Sequence, residues 1–288
     1  MNIDQITQFL DENERVALVI GNPISHSLSP LMHNTAAKEL GISLKYERLL
    51  LEDHDFIKIH RLLNHSSFVG ANITIPYKQQ MAQYVDYIDD LASSVGAINT
   101  ISNVNNSLTA YNTDVFGFLA PLLTYADELE GASAVVFGTG GASKAVFYAL
   151  KELGLSEVIL VSRSPRIIQN IDSSMNVVYA SYANWTAYLT DECHLIVNTT
   201  PLGMGDFSND SPILEFDQHL LEERICYDLV YGKQKTPFIV QAIENGGLPI
   251  DGLEMLIHQG SKAFELWTGK AFPIQTVRNA LINHIRSN

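Results

Sequence analysis

Residues 134–144 are the most informative segment of this chain and read Ala134-Val-Val-Phe-Gly138-Thr139-Gly140-Gly141-Ala142-Ser143-Lys144. Its apolar start is typical of a β-strand, and a helix-forming sequence from Lys144 to Leu153 follows the glycines. This order places backbone N–H groups and the positive end of a helix where a pyrophosphate can bind. Gly138 suits the tight turn, Gly140 lets the backbone approach a phosphate, and the small Ser143 replaces the usual third glycine. The pattern predicts a dinucleotide site of the Rossmann type.

The next expected strand, Glu157-Val-Ile-Leu-Val-Ser162-Arg163, supports this site and indicates which nucleotide it binds. An NAD site usually carries Asp or Glu near the end of this strand, about 20 residues after the glycines, to bind the ribose 2′-hydroxyl. Here the chain has Ser162-Arg163-Ser164-Pro165-Arg166. Guanidinium groups and hydroxyls would bind a 2′-phosphate that a carboxylate would repel. The sequence therefore predicts NADP(H) as the cofactor, although the same residues would also suit a solvated turn.

Length and composition favour two globular domains without a nucleic-acid or membrane partner. The 288 residues are 46% hydrophobic and 9% aromatic, which is enough for two cores. The net charge is −14 and no basic run exceeds two residues, which argues against nucleic acid and anionic membranes. No apolar run approaches the roughly 18 residues of a membrane-spanning helix, and residues 1–15 do not resemble a signal peptide. Cys193 and Cys226 lack the spacing of a disulfide framework or a zinc site. We expect a cytoplasmic protein without a metal.

Alternating strand and helix patterns predict an α/β fold in both halves of the chain. Before the glycines we expect strands at 16–21, 44–51 and 68–74, helices at 31–40 and 53–63, and a hairpin formed by 97–102 and 107–111. From the glycines onward we expect a helix at 144–153 and strands at 134–137, 157–161, 177–179, 195–198 and 225–228. This alternation indicates a parallel sheet with helices on both faces. Two final helices, 253–267 and 274–286, are not assigned to either half by their sequence alone.

Polar side chains follow the expected strands of the first half. In open α/β sheets, ligands lie beyond the carboxyl ends of the strands. The residues at these ends are Ser25, Ser27, Ser29, Asn72, Thr74, Lys78, Asn99, Asn112 and Asp114. Short hydroxyl and amide side chains with one lysine and one aspartate suit a small polyhydroxylated acid. Any one of them could equally cap a helix or form a turn, so the prediction depends on the whole set.

The chain resembles the shikimate dehydrogenase family along almost its whole length. The matching segments are Ser27-Leu-Ser29-Pro30-Leu-Met-His33-Asn34, Gly70-Ala-Asn72-Ile-Thr74-Ile-Pro76-Tyr-Lys78, Gly96-Ala-Ile-Asn99-Thr100, Asn112-Thr-Asp114-Val-Phe-Gly117, Gly138 to Ser143, Asn198-Thr-Thr-Pro-Leu-Gly203-Met204, Asp228-Leu-Val-Tyr231 and Asp251-Gly252-Leu-Glu-Met255-Leu256-Ile-His-Gln259. The resemblance implies reversible NADPH-dependent reduction of 3-dehydroshikimate to shikimate, in the biosynthesis of chorismate and the aromatic amino acids. It also implies an N-terminal α/β substrate domain, a Rossmann-like NADP-binding domain, and a cleft between them. The expected domains are residues 1–114, completed by the helices of 253–288 packing back on them, and residues 115–252.

The resemblance further implies a role for each residue that matches a family motif. Ser27 and Ser29 would bind the substrate carboxylate. Residues Thr74, Asn99 and Gln259 would hold its hydroxyls, with Tyr231 nearby. The implied cofactor-binding residues are Gly138, Thr139, Gly140, Gly141, Ala142, Ser143, Ser162, Arg163, Ser164, Thr199, Leu229 and Gly252. Arg166 is added to this set from its charge, without a match to the family.

The same resemblance implies that Lys78 and Asp114 contact the hydroxyl that is oxidised. Oxidation of a hydroxyl needs a proton acceptor. We expect Pro76 to begin a helix, which would place Lys78 in its first turn. The positive end of that helix would disfavour an ammonium group by roughly 0.3–1 kcal/mol. That effect alone cannot neutralise the lysine. Our hypothesis is that Lys78 relays the proton and Asp114 orients it, while the sequence leaves open which of the two formally transfers it.

The sequence is also compatible with other functions. A quinate/shikimate dehydrogenase that uses NAD is the nearest alternative, and a nucleotide-sensing module without chemistry is a more distant one. Tyr231 and Lys235 match the Y-x-x-x-K pair of short-chain dehydrogenases, but Gly232 between them argues against the required helix. The sequence leaves open whether the chain forms a homodimer.

Overall fold

The computed structural model describes residues 1–165 and 175–287, which divide into two units. Unit 1 comprises Met1–Thr113 and the C-terminal residues from Ile257, and unit 2 comprises Asp114–Leu256. Within the described ranges each unit contains one six-stranded sheet. The predicted α/β class, with a Rossmann-like sheet in the second half, is confirmed.

The sheet of unit 1 is mixed, in the order β2-β1-β3-β5-β6-β4. Its strands are β1 (Val16–Gly21), β2 (Lys45–Leu50), β3 (Phe68–Ile73), β4 (Tyr87–Ile88), β5 (Thr100–Val104) and β6 (Ser107–Tyr111). β1 is parallel to both β2 and β3, whereas β5 is antiparallel to β3 and β6. The hairpin between β5 and β6 turns at Asn105 and Asn106, whose φ angles of 53° and 62° are typical of a type I′ turn. All six residues of β1 are buried, which explains its continuous apolar sequence.

Helices cover this sheet and close unit 1. They are α1 (Ile3–Asp11), α2 (Ser29–Glu39), α3 (Phe56–Leu63), α4 (Asp90–Val95) and, at the C-terminus, α10 (Ile274–Ser287). α9 (Gly252–Thr268) begins in unit 2 and continues into unit 1. α10 packs against α2, and both helices belong to unit 1. The sequence did not predict α1, whose N-terminus is closed by a capping box between Asn2 and Gln5.

The helix expected to begin at Pro76 is absent from the described structure. Residues 75–79 form a turn instead, and a 3-10 helix covers Gln80–Tyr84. The N–H of Tyr77 donates to the carbonyl of Thr74 within this turn. Lys78 therefore lies in a turn and not in the first turn of an α-helix. The expectation that a helix dipole acts on Lys78 is wrong.

The sheet of unit 2 is parallel throughout, in the order β12-β11-β10-β7-β8-β9. Its strands are β7 (Ser133–Phe137), β8 (Glu157–Ser162), β9 (Asn176–Ser181), β10 (Cys193–Asn198), β11 (Ile225–Asp228) and β12 (Leu248–Ile250). The other helices of unit 2 are α5 (Thr113–Leu122, which starts on the last residue of unit 1), α6 (Ala126–Leu129), α7 (Gly141–Glu152) and α8 (Pro237–Glu244). This strand order is that of the doubly wound dinucleotide-binding fold. The order reverses between β7 and β10, and the crevice for a ligand is expected there.

Among the described residues, no helix combines the length and the apolar character needed to cross a bilayer.

Candidate active site

A cavity of about 670 Å³ lies in unit 2, beyond the carboxyl ends of β7 and β10. Its walls come from the glycine turn after β7, the end of β8, the end of β9 and the loop after β10. The described residues that line it are Gly138, Thr139, Gly140, Ser162, Arg163, Ser164, Tyr182, Thr199, Thr200, Pro201, Leu202 and Phe207. The cavity therefore occupies the point of strand reversal where doubly wound sheets bind nucleotides.

Gly138 is required by the local backbone and packing, whereas Gly140 is not. Gly138 has φ of +109°, and a Cβ there would lie 2.5 Å from Oγ1 of Thr199. Gly140 has φ of −80° and ψ of −171°, an extended conformation that any residue adopts. A Cβ at Gly140 or Gly141 would have no described heavy atom within 4 Å. Local packing and backbone conformation therefore do not require glycine at position 140. The open space over the N-terminus of α7 is a cradle that a phosphate group fits.

The other end of the cavity suits a 2′-phosphate. Ser162 is the last residue of β8, and Arg163 and Ser164 follow it with exposed side chains. Of the described residues that line the cavity, none is acidic. The ring of Tyr182 packs on the core residue Phe137 at a centroid distance of 5.6 Å. Arg166 lies outside the described residues.

The loop after β10 forms the wall next to the glycine turn. Both the N–H and the hydroxyl of Thr199 donate to the carbonyl of Phe137, at 2.9 and 2.8 Å. The carboxamide oxygen of Asn198 accepts from the N–H of Thr200 at 3.0 Å and from its hydroxyl at 2.6 Å. The sequence identified Thr199 but missed Thr200, although the run of polar residues after an apolar strand was a signal for both.

Five residues predicted to bind the cofactor are not among the described residues that line this cavity. Gly141, Ala142 and Ser143 lie in the first turn of α7. The other two, Leu229 and Gly252, lie elsewhere in unit 2. They lie against each other instead. A Cβ at Gly252 would come within 2.2 Å of the Leu229 carbonyl oxygen. Because Gly252 has no side chain, the start of α9 can pack closely against the chain after β11.

In unit 1 a buried chain of hydrogen bonds connects the sheet to Asn99. The Tyr46 hydroxyl donates to Oδ1 of Asn72 at 2.7 Å, and Nδ2 of Asn72 donates to Oγ1 of Thr100 at 3.1 Å. The Thr100 hydroxyl donates to Oδ1 of Asn99 at 3.1 Å, and that oxygen also accepts from the N–H of Thr113 at 2.6 Å. The structure therefore fixes the orientation of the Asn99 carboxamide. Tyr46 and Thr100 were not predicted as members of the site.

The serine loop before α2 is held by a buried tyrosine and an arginine from β2. Both Nε and Nη2 of Arg48 donate to the Ser27 carbonyl, at 3.2 and 2.7 Å, and Oγ of Ser27 accepts from the N–H of Ser29 at 3.3 Å. Burial raises the pKa of Tyr46 well above its ordinary value, and the neighbouring Ser29 and Arg48 oppose the rise. The two serines therefore lie beside a positive charge, which suits a bound carboxylate. The sequence pattern of β2 gave no signal for Arg48, because alternation along a strand does not show what its polar residues contact.

His33 lies in α2, beside Tyr46, with their ring centroids 4.3 Å apart. Burial lowers the pKa of His33 from 6.5 to about 3, with the Asn72 side chain opposing the shift. The imidazole is therefore neutral and part of an aromatic core that includes Trp267 at 5.1 Å. Within the described ranges no group of three His, Cys, Asp or Glu side chains could hold a metal ion.

Thr74 and Lys78 follow β3, the strand that carries Asn72. The N–H of Thr74 donates to the carbonyl of Ile20 at 2.9 Å, and the Lys78 carbonyl accepts from the N–H of Ile98 at 2.9 Å. Because Ile98 immediately precedes Asn99, these bonds bring the lysine segment and the Asn99 segment to the same end of the sheet.

Gln259 lies in the part of α9 that belongs to unit 1, and its side chain is 9% exposed. The next residue, Gly260, packs so closely on α2 that a Cβ would lie 2.1 Å from Cε of Met32. Met32 lies one turn after Ser29 in α2, so Gln259 lies near the start of that helix.

Asp114 and Tyr231 belong to unit 2. Asp114 lies in the first turn of α5. It directly follows Thr113, the residue bonded to Asn99. Burial raises the pKa of the Tyr231 phenol above its ordinary value, so that phenol stays neutral in the physiological range.

Comparison with known proteins identifies the family. The model of the shikimate dehydrogenase substrate binding domain matches residues 19–101, and that of the shikimate 5'-dehydrogenase C-terminal domain matches residues 252–282. A shikimate dehydrogenase (NADP(+)) from Staphylococcus haemolyticus is 34% identical over 93% of this chain and 98% of its own length. One from Synechocystis is 36% identical over 94% of this chain and 96% of its own.

Among solved structures, shikimate 5-dehydrogenase from Thermus thermophilus in complex with NADP(H) and shikimate is similar, with a TM-score of 0.78 and 32% identity. The match covers 92% of this chain and 98% of that protein. The chain belongs to the shikimate dehydrogenase family.

Proposed function

We propose that this member of the shikimate dehydrogenase family catalyses the reversible reduction of 3-dehydroshikimate to shikimate with NADPH, a step in aromatic amino-acid biosynthesis. The observation that carries the proposal is the nucleotide cavity of unit 2. It combines an open phosphate cradle at Gly140 with the cation of Arg163 and no described acidic lining residue. The ordered polar groups of unit 1 support a small hydroxylated acid as the partner substrate.

The residues around the cavity fit NADP(H). The turn from Gly138 to Ser143 would hold the pyrophosphate through backbone N–H groups. Ser162, Arg163 and Ser164 would hold the 2′-phosphate, because a guanidinium group binds phosphate oxygens in a bidentate manner. When bound, this cofactor supplies the hydride of the reaction.

The substrate roles are carried over from the family residue by residue. Ser27 and Ser29 bind the carboxylate, supported by the positive charge of Arg48 behind their loop. The hydroxyls of the ring are held by Asn99, whose carboxamide is already oriented by Thr113, and by Thr74, Gln259 and Tyr231. Preorganised donors and acceptors of this kind bind without a further ordering cost.

Lys78 and Asp114 carry the acid–base chemistry of the proposal. In the direction of reduction the Lys78 ammonium donates a proton to the oxygen that becomes the hydroxyl. In the direction of oxidation the neutral amine accepts it. The role carried over from the family to Asp114 is to orient the lysine.

The nearest rival is a quinate/shikimate dehydrogenase that uses NAD. Values of kcat/KM for shikimate and quinate, each with NADP and NAD, distinguish the two. The proposal expects the highest value for shikimate with NADP. A preference for NAD or for quinate would replace it with the rival, and nucleotide binding without any turnover would favour a nucleotide sensor.

The proposal also places the enzyme in the cytoplasm, a reducing compartment in which thiols such as Cys193 and Cys226 stay unpaired. Both cysteines are free and buried. Cell fractionation tests this location, and sedimentation analysis shows whether the working form is a homodimer.

A further inference from the structure

Asp228 is a fully buried carboxylate at the end of β11. Its Oδ1 accepts from Nδ2 of Asn198 at 2.9 Å and from the N–H of Val230 at 3.0 Å. Its Oδ2 accepts from the hydroxyl of Thr236 at 2.5 Å. Among the described residues no lysine or arginine forms an ion pair with it. Burial of a carboxylate without an ion pair opposes folding unless hydrogen bonds satisfy its charge.

The hydrogen bonds of Asn198 lead from this carboxylate to the nucleotide cavity. The same Nδ2 that donates to Asp228 also donates to the carbonyl of Leu202 at 3.1 Å. Its Oδ1 accepts from the N–H and the hydroxyl of Thr200. Thr200 and Leu202 line the cavity. All four hydrogen-bonding positions of the Asn198 amide are thus used, and its orientation depends on the acceptor at Asp228.

Thr236 connects the carboxylate to the same loop from the other side. Its Oγ1 accepts from the N–H of Ile239 and so caps α8. A Cβ at Gly203, the residue after Leu202, would lie 3.0 Å from Cβ of Thr236. The loop of residues 199–203 therefore packs against Thr236, which donates a hydrogen bond to Asp228.

We propose that Asp228 is a positioning residue for nucleotide binding, which in its charged form orders Asn198 and holds the loop of residues 199–203 in the geometry that binds NADP(H). This inference rests on the proposed function for the identity of the nucleotide. Hydrogen bonds to an ionised acceptor are about twice as strong as neutral ones. Loss of the charge weakens the support of the loop while leaving the shape of the site unchanged.

The surroundings of Asp228 make this support dependent on pH. Burial raises the pKa of Asp228 from 3.8 to about 6, the bonds from Thr236, Val230 and Asn198 oppose the rise, and the carboxylate of Asp251 adds to it. Asp251 in turn faces Glu254 and Lys235. Asp228 is therefore charged at pH 8 and protonated at pH 5.

The test measures the dissociation constants of NADP and NAD by titration calorimetry from pH 5 to pH 8.5. Asp228→Asn keeps the shape and removes the charge, so it corresponds to the protonated wild type. We expect it to bind both nucleotides about tenfold more weakly than wild type at pH 8, with the ratio approaching 1 at pH 5. NAD is included because the 2′-phosphate of NADP itself titrates near pH 6.

Further variants separate positioning from a general loss of structure. Thr236→Val removes one donor to the same carboxylate and should weaken binding, whereas Thr236→Ser should bind like wild type. Asp251→Asn, the matched control, should not change the affinity at pH 8. Thermal unfolding of each variant shows that the protein is folded.

The proposal is overturned if Asp228→Asn binds as tightly as wild type at pH 8, or more tightly because a negative charge near the phosphates has gone. A tenfold loss that is the same at pH 5 and pH 8 would also overturn it, since that is a purely steric effect. Failure of the wild type to bind either nucleotide would overturn this inference and the proposed function together. Binding with the expected ratio but without turnover would overturn the proposed function alone.

Discussion

Gly140→Ala separates a glycine needed by a ligand from one needed by the fold. The backbone at Gly140 has φ of −80° and ψ of −171°, and a Cβ there would meet no described heavy atom within 4 Å. The methyl group therefore projects into the open cradle over the N-terminus of α7. We expect the folded protein to accept the substitution and the nucleotide to be displaced by it.

The two effects have opposite signs and different sizes. Replacing glycine by alanine in a compatible conformation stabilises a protein by about 0.4–1 kcal/mol, through the unfolded state. A hydrogen bond to a charged group contributes about 1.5–3 kcal/mol. If the methyl group costs one phosphate contact, NADP should bind about 10–150-fold more weakly.

The assay combines thermal unfolding with calorimetric titration of NADP. Gly138→Ala is the contrasting variant, because φ of +109° and the 2.5 Å distance from its Cβ to Oγ1 of Thr199 predict a loss of stability. Unchanged NADP affinity in a folded Gly140→Ala protein would refute the placement of the pyrophosphate at this turn.

Four more substitutions test other parts of the account. Lys78→Ala should lower kcat at least 100-fold, as expected for a general acid–base group, with an unchanged circular dichroism spectrum; more than a tenth of wild-type turnover would contradict its role. Arg163→Ala should raise the KM for NADP about tenfold or more and leave that for NAD unchanged, because only NADP carries a 2′-phosphate; equal effects on both would argue for a structural role. Gly70→Ala should lower the free energy of unfolding by about 1–3 kcal/mol in denaturant titrations, because its Cβ would lie 2.1 Å from Nε1 of Trp267. Burial raises the pKa of Asp228 to about 6, so the stability that its protonated form contributes is complete below pH 4 and is lost as the pH rises through 6. Asp228→Asn should therefore gain stability relative to wild type between pH 4 and pH 8. A difference in melting temperature that does not change with pH would contradict this.

The sequence was most informative where local and global signals agree. In unit 2, the apolar run at 134–137, the glycines and the helix-forming stretch from Lys144 predict a strand, a turn and a helix, and the structure has β7 and α7 there. The helix begins three residues earlier than expected, at Gly141. Apolar periodicity marks the interior of a helix better than its first turn.

Elements that depend on capping or on tertiary contacts were harder to predict. α1 was missed although Ile3, Ile6 and Leu10, its buried residues, recur at helical spacing and a capping box closes its N-terminus. The helix expected after Pro76 was wrong because proline at a first helical position is also common in turns. Pro76 precedes the turn that carries Lys78.

In the candidate site, too, residues with a local sequence signal were identified, and residues placed by tertiary contacts were not. Residues at the end of a strand or directly after it, such as Ser162 and Thr199, were identified because their position in the chain places them at the cavity. Tyr182 and Arg48 were not, because each reaches its site from a neighbouring strand or the loop after it. The structure shows where they lie. The pairing of β8 with β9 places Tyr182 at the cavity, and the hydrogen bond to Ser27 places Arg48 at the serine loop. The substrate and catalytic assignments themselves stay predictions.

Absorbance of reduced nicotinamide, recorded after the protein is mixed with shikimate and NADP, shows whether this protein oxidises shikimate. We expect a rise that needs both compounds, reverses when 3-dehydroshikimate and NADPH are supplied, and is at least 100-fold slower with Lys78→Ala. Folded protein that binds NADP and yet produces no rise with shikimate would contradict it.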